Sequence, residues 1–133
     1  NDDSDRNDFI NWVDKFILID STLSCNSLDL YAARCSIIHS MTPRAKLVRD
    51  GKARIINYCW GSAKIDVIEK KILEMEMSTE IGNGTHFAVH IDDLISHVIA
   101  GIKRYETFVF TEEKLAKIFL TRANSYFKII NVN

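Results

Sequence analysis

Apolar residues recur along this chain at two spacings, every three to four residues in most segments and in short dense runs in two others. Phe9, Val13, Phe16 and Ile17 fall on one helical stripe with Trp12 beside it, which predicts a first helix over about 7–18, with Asp8 placing negative charge in its first turn. Ser27 suits the cap of a second helix carrying Leu28, Leu30, Tyr31, Ala32, Cys35, Ile38 and Met41 until Pro43 stops it. Its apolar residues occupy more than one stripe, as a central helix packed on several sides requires. A polar, basic connection follows and ends in the turn signal Asp50-Gly51. Residues 53–61 fit either helix or strand, and their β-branched and aromatic content favours strand. A third helix spans Ser62 to about Met77, with Ile65, Ile68, Ile72 and Met75 on one face and Glu69, Lys70 and Glu74 on the other. After a turn at 81–85, residues 87–91 read as a second strand pairing with the first. Asp92 then caps a fourth helix with Ile95, Val98, Ile99, Ile102 and Tyr105 in step, and Thr111 caps a fifth containing Leu115, Ile118, Phe119 and Tyr126.

The expected fold is mainly α, a bundle of four to five helices with a small two-stranded β element, over a single domain of residues 1–133 whose first six form a flexible acidic start. One proline and five glycines in 133 residues favour long regular elements over loops. A chain of this size removes roughly two thirds of its extended surface from water, so neither a metal nor a disulfide is required for stability. The longest apolar runs are only a few residues, as at Phe16-Ile17-Leu18-Ile19, far short of a membrane span, and no membrane association is expected. The opening, with Asp2, Asp3, Asp5 and Asp8 around Arg6, lacks the basic-then-apolar order of a secretory leader. Cys25, Cys35 and Cys59 are odd in number and widely spaced, without a Cys-x-x-Cys pair, so they read as free thiols in a reducing, cytoplasmic setting.

Seventeen basic residues against eighteen acidic give a net charge of −1, which excludes a histone-like polycation and an acidic disordered tail. The distribution changes that picture. Residues 34–54 hold Arg34, Arg44, Lys46, Arg49, Lys52 and Arg54 against Asp50 alone, a local charge of +5. Eleven basic and seventeen acidic residues, or −6, remain elsewhere. A phosphate-bearing partner would favour the basic segment, because Arg and Lys gain charge-assisted contacts to phosphate oxygens and release counterions on binding. The bland alternative is a solvated loop with ordinary surface charge.

Just before Pro43 the helix carries Arg34-Cys35-Ser36-Ile37-Ile38-His39, an arginine and a histidine separated by four residues. Five residues rotate about 140° along a helix, so the two side chains do not share a strict face, yet a histidine in the last turn can splay toward a long arginine. Histidine has an unperturbed pKa of about 6.5 and so holds both protonation states at neutral pH, which makes His39 the candidate for general acid or base work. Arg34 keeps its charge and can stabilise charge building on phosphodiester oxygens. The pair suits metal-independent RNA cleavage by attack of the ribose 2′-hydroxyl on the adjacent phosphorus. The spacing alone carries little weight; its place at the end of a central amphipathic helix, beside the basic segment, carries more.

The stretch Leu30-Tyr31-Ala32-Ala33-Arg34-Cys35-Ser36-Ile37-Ile38-His39-Ser40 resembles the motif helix of the HEPN superfamily, helical RNase domains whose signature is arginine, four to six residues, then histidine. The resemblance implies a HEPN-like helical bundle, homodimerisation that joins two motifs in one cleft, and metal-independent endoribonuclease action without cofactors. It also implies a toxin or phage-defence role, with an antitoxin or companion protein as a further partner. On this reading Arg34 and His39 are catalytic, and Arg44, Lys46, Arg49, Lys52 and Arg54 guide the RNA backbone. One position departs: the residue after the arginine is often Asn, Asp or His in active members, and here it is Cys35. That points to the alternative, a catalytically inactive dimerisation or protein-interaction module.

Other candidates rank lower. His86, His90 and His97 straddle a strand and a helix start, with no Cys or clustered carboxylate to complete a metal site, so no metal is assigned. Asp92-Asp93 reads as a capping pair. Gly82-Asn83-Gly84 lacks a phosphate-loop lysine and is a turn. Tyr58 and Trp60 could stack bases, although aromatic residues in a strand more often pack in a core.

Overall fold

Asp5 opens the first helix by reciprocal capping. Its Oδ1 accepts from the Asn7 and Asp8 backbone N–H groups at 2.7 and 3.0 Å, while Asp8 Oδ2 accepts from the Asp5 N–H at 3.1 Å. In the computed structural model, which describes residues 5–38 in full, the backbone of His39, and residues 46–126, this helix is α1 (Arg6–Trp12). The acidic opening expected to precede the fold thus supplies its cap at Asp5 and its first helical residue at Arg6.

From Trp12 the backbone continues into a π-helical turn, Val13–Ile17, closed by the Leu18 N–H donating to the Val13 carbonyl at 2.9 Å. The wider turn sets Val13, Phe16 and Ile17 inward, and all three are buried. Helix α2 (Ser27–His39) begins one residue earlier than expected. Asn26 is the cap, its Oδ1 accepting from the Asp29 N–H at 2.9 Å and its N–H donating to Asp29 Oδ2 at 3.1 Å, and the expected cap Ser27 is a buried helical residue.

The polar, basic connection holds a single helical turn, α3 (Lys46–Arg49), and the stretch at 53–61 that fits helix or strand forms the strand β1 (Ile55–Cys59). Between them Gly51 takes φ +67°, the left-handed conformation that a side chain disfavours. The crossover helix α4 (Ile65–Met77) leads to β2 (His86–His90), which pairs with β1 in parallel, Ile55 opposite His86 through Cys59 opposite His90. A parallel strand is covered on both faces, and Phe87, Ala88 and Val89 are all buried.

Helix α5 (Ile91–Thr111) is capped by His90, whose Nδ1 accepts from the Asp92 N–H at 3.3 Å, so Asp92 is an acidic first-turn residue and not the cap. Thr111 does not cap the last helix either. It ends α5, its hydroxyl donating back to the Thr107 carbonyl at 2.6 Å, and the extended backbone of Glu112 separates it from α6 (Glu113–Tyr126). The described residues therefore form a mainly helical fold of six α-helices and one small parallel sheet, where four to five helices are expected from the sequence; the addition is α3. None of the described helices is long and apolar enough to cross a membrane.

Two buried clusters support α2. Cys25, Phe87 and Val89 gather Leu18, Leu23, Leu30, Ile56 and Leu94, and Ala32 with Ala53 gathers Leu28, Cys35, Leu47 and Val48. On the other side of the π-helical turn, Phe16 meets the Tyr105 and Phe108 rings of α5 at centroid distances of 5.2 and 5.6 Å.

The three cysteines are free thiols, Cys25 and Cys59 buried and Cys35 half-buried. Burial pushes the Cys25 thiol up from its ordinary value, and burial first, then the neighbouring Cys25, pushes the Tyr58 phenol up. Both groups ionise less readily in the folded chain than in the unfolded one. Their contribution to stability is thus complete below the unfolded values and is lost as pH rises through the folded ones. We expect the urea midpoint to start falling above roughly pH 9, with a shallower fall in Cys25→Ala; a flat profile from pH 8 to 10.5 would contradict this.

Candidate nucleic-acid interface

The basic face is organised by a carboxylate. Asp29, in the first turn of α2, is fully buried and accepts from the Arg54 backbone N–H at 2.7 Å, from Arg54 Nε at 3.1 Å and from Nη2 at 2.6 Å. Nη2 also donates to the Ser24 carbonyl at 2.8 Å, and the guanidinium lies 4.3 Å from the Phe87 ring centroid. Arg54, one of the candidate RNA contacts, therefore ties the start of β1 to α2 with its charge matched by Asp29, although its side chain keeps about a third of its exposure.

Lys46, Arg49 and Lys52 differ from it. They project from α3 and the following turn and are exposed, and no carboxylate lies within 4.0 Å of them among the described residues. The turn is held by its backbone, the Lys52 N–H donating to the Leu47 carbonyl at 2.8 Å, and by Leu47 and Val48 packing toward Ala32 and Ala53. Arg44 lies outside the described residues.

A cleft of about 490 Å³ opens between the start of α1, the middle of α2 and α3. Arg6, Tyr31, Cys35, Lys46 and Lys52 line it, as do Asp5 and Asp50. Three cations thus face two carboxylates, Asp5, which also caps α1, and Asp50, so the lining carries a formal charge of +1. The Tyr31 hydroxyl is held above the usual phenol range, first by hydrogen bonding to the Cys35 side chain, then by burial and by the charge of Cys35, against the lowering effect of Arg34 and Arg6.

Arg34 is exposed on α2, next in sequence to Cys35. Its guanidinium carbon stands 5.6 Å from the Phe9 ring centroid, and Phe9 meets Tyr31 edge-on at 5.5 Å. The backbone of His39 closes α2, five residues and about 7.5 Å along the axis from Arg34, and its side chain lies outside the described residues. The structure thus brings Lys46 and Lys52 to one cleft with Cys35, sets Arg34 beside it, and engages Arg54 elsewhere.

Sequence reasoning missed Arg6 and Tyr31. Arg6 was hidden by the aspartates around it, and Tyr31 read as one more apolar position of α2; the reciprocal spacing of Asp5 and Asp8 was the available sign that Arg6 belongs to a helix. The histidines outside the motif are engaged separately: His86 Nδ1 with Thr85 Oγ1 at 2.9 Å, His90 Nε2 with the Gly61 carbonyl at 3.1 Å, and His97 Nδ1 with the Asp93 carbonyl at 2.7 Å. No group of three His, Cys, Asp or Glu among the described residues is arranged to hold a metal. Of the aromatic residues weighed for base stacking, Trp60 is exposed at the end of β1 and Tyr58 is half-buried within it. Comparison with protein-family models, curated proteins and solved structures finds no match to this chain.

Proposed function

We propose that this chain is a HEPN-like RNA-binding domain that cleaves RNA without a metal, in a toxin or phage-defence setting. Arg34 and His39 are the reacting pair, and Lys46, Arg49 and Lys52 hold the backbone. The observation that supports this most is the exposed guanidinium of Arg34 beside a cleft rimmed by Lys46 and Lys52, cations without carboxylate partners among the described residues. Phosphate oxygens can be drawn to such a rim, whereas Arg54, matched by Asp29, adds less.

In the proposed reaction His39 takes the proton of a ribose 2′-hydroxyl, whose oxygen bonds to the adjacent phosphorus, and Arg34 stabilises charge on the crowded phosphorane. The bond to the 5′ oxygen breaks and that oxygen takes up a proton. The products are a 2′,3′-cyclic phosphate and a 5′-hydroxyl end.

A second reading, a catalytically silent interaction module, draws on Cys35. It lines the cleft together with Tyr31, and it stands at the position after the arginine that is often Asn, Asp or His in active members of the family it resembles. Incubation of the purified chain with total RNA in EDTA separates the two. Cleavage should yield cyclic phosphate ends, and Arg34→Ala or His39→Ala should slow it by about 100-fold or more. Lys46→Ala should instead weaken RNA binding and flatten its salt dependence. Equal cleavage by His39→Ala would overturn the mechanism, and persistent inactivity combined with a stable dimer would favour the silent module.

A further inference from the structure

The cleft between α1, α2 and α3 offers three kinds of group: the cations Arg6, Lys46 and Lys52, the Tyr31 ring with the Leu47 side chain, and the carboxylate of Asp50. Holding a phosphate needs only the cations, and a carboxylate among them repels it. Asp50 therefore marks the part of the cleft where a ligand must bring hydrogen-bond donors. Its N–H donates to the Lys46 carbonyl at 2.9 Å, while no hydrogen bond or ion pair takes up its carboxylate among the described residues. Asp5 differs, its Oδ1 accepting from the Asn7 and Asp8 N–H groups. Tyr31 meets Phe9 edge-on at 5.5 Å and 61°, a contact that covers at most one face of the Tyr31 ring. The volume, about 490 Å³, lies within the range of about 300–1,000 Å³ typical of small-ligand sites.

We propose that this cleft takes one unpaired guanine nucleotide of the RNA, its ring stacked on Tyr31, its N1–H and N2 amino group donating to Asp50, and its phosphate held by Lys46 and Lys52. This rests on the RNA reading above and adds the base at which the strand is held.

The choice of base follows from the acceptor. A carboxylate offers lone pairs only, on two oxygens side by side, and guanine alone has two adjacent donors on its Watson–Crick edge. Adenine and cytosine set an acceptor ring nitrogen beside their amino group, and uracil flanks its one N–H with two carbonyls, so each turns a lone pair toward Asp50. Unpaired RNA bases are read at this edge while they stack on aromatic rings. The charges also match, a lining of +1 against the single negative charge of one phosphodiester. Arg34 follows Tyr31 by three residues on α2 and precedes Cys35, which lines the cleft, so a nucleotide held there lies next to the proposed reacting pair.

Fluorescence anisotropy of the whole chain with labelled 2′-O-methyl RNA hexamers tests this, because such strands have no free 2′-hydroxyl to attack and report binding alone. A uridine hexamer with one central guanosine should bind about tenfold more tightly than the same strand with adenosine, cytidine or uridine there. Asp50→Asn should abolish that preference and yet bind the all-uridine strand no more weakly than wild type, since it removes a negative charge from the cleft. Tyr31→Ala should weaken the guanosine strand by about tenfold, and Tyr31→Phe, which keeps the ring, should not. If Tyr31→Ala unfolds, Asp50→Asn decides. Equal affinity for the four hexamers, or a guanosine preference that survives Asp50→Asn, would overturn the inference. Unlabelled guanosine hexamer should also displace the probe at lower concentration than 5′-GMP; the reverse order would assign the cleft to a free nucleotide and overturn its place in RNA binding. The nuclease reading fails separately: guanosine preference without cleavage of unmodified RNA leaves this site standing, whereas cleavage with four equal affinities removes the site alone.

Discussion

Asp29→Ala should destabilise the fold by about 3 kcal/mol or more, measured as the shift in urea midpoint at constant slope. The carboxylate is fully buried and serves two tasks at once. It completes the cap of α2 with Asn26, and it accepts three hydrogen bonds from Arg54, 25 residues along the chain. Removing it leaves the Arg54 backbone N–H and the Asn26 N–H without their acceptor and strips a guanidinium of its counter-charge. Arg54 keeps about a third of its side-chain exposure, so water recovers part of the loss, which places the cost near the lower end of the 3–5 kcal/mol typical of broken buried pairs. With net stabilities of about 5–15 kcal/mol for domains generally, that is a large share. Arg54→Ala supplies the complementary result: it strands the buried carboxylate and should also destabilise by about 3 kcal/mol. If Arg54 were only a surface contact for RNA, its removal would leave the urea midpoint within about 0.5 kcal/mol of wild type, and the structural role given to it here would fall.

The second large effect is expected at Gly101, in the interior of α5. A helix interior ordinarily gains about 1 kcal/mol when glycine becomes alanine. Here a Cβ would stand 2.8 Å from Ile17 Cγ1, 2.9 Å from the Phe16 carbonyl oxygen and 3.2 Å from Ile17 Cα. Two of these are backbone atoms of the π-helical turn, and the same Phe16 carbonyl also accepts from Arg104 at 2.8 Å, so the turn has little room to retreat. Gly101→Ala should therefore cost about 1–3 kcal/mol despite the better propensity, and lower the melting temperature by about 5 °C or more. A variant at least as stable as wild type would show that α5 and the π-helical turn are not held at this distance.

Particular residues show how far the sequence alone could go. The stripe of Phe9, Val13, Phe16 and Ile17 located the first helix, because side chains three and four apart share a face whatever else the chain does, but it could not show the wider turn at Val13–Ile17 that brings Phe16 and Ile17 under Gly101. The strands near 53–61 and 87–91 were legible from their composition. Their parallel pairing follows from α4 lying between them, and the burial of Phe87, Ala88 and Val89 from what packs on both faces. Asp92 looked like the cap of α5 because aspartate is a common one, yet His90 holds that place through its own Nδ1. In the candidate site, Arg34, Lys46 and Lys52 were visible as charges in a basic segment, whereas Arg6 and Tyr31 joined them only when α1 and α2 closed a cleft over α3.

The charge distribution marks the same boundary. A surplus of +5 over residues 34–54 is a property of the sequence, as are the arginine–histidine spacing on one helix and the mainly helical pattern. Which of those charges remain available to a partner was decided by the tertiary structure, which sets Arg54 against the buried Asp29 and leaves Lys46, Arg49 and Lys52 exposed. The physical reason is range. Helical periodicity and turns depend on neighbours a few residues apart, and the sequence displays them directly. The pairing of Arg54 with Asp29, like the approach of Gly101 to Phe16 and Ile17, joins groups far apart along the chain, and packing alone determines which of them meet.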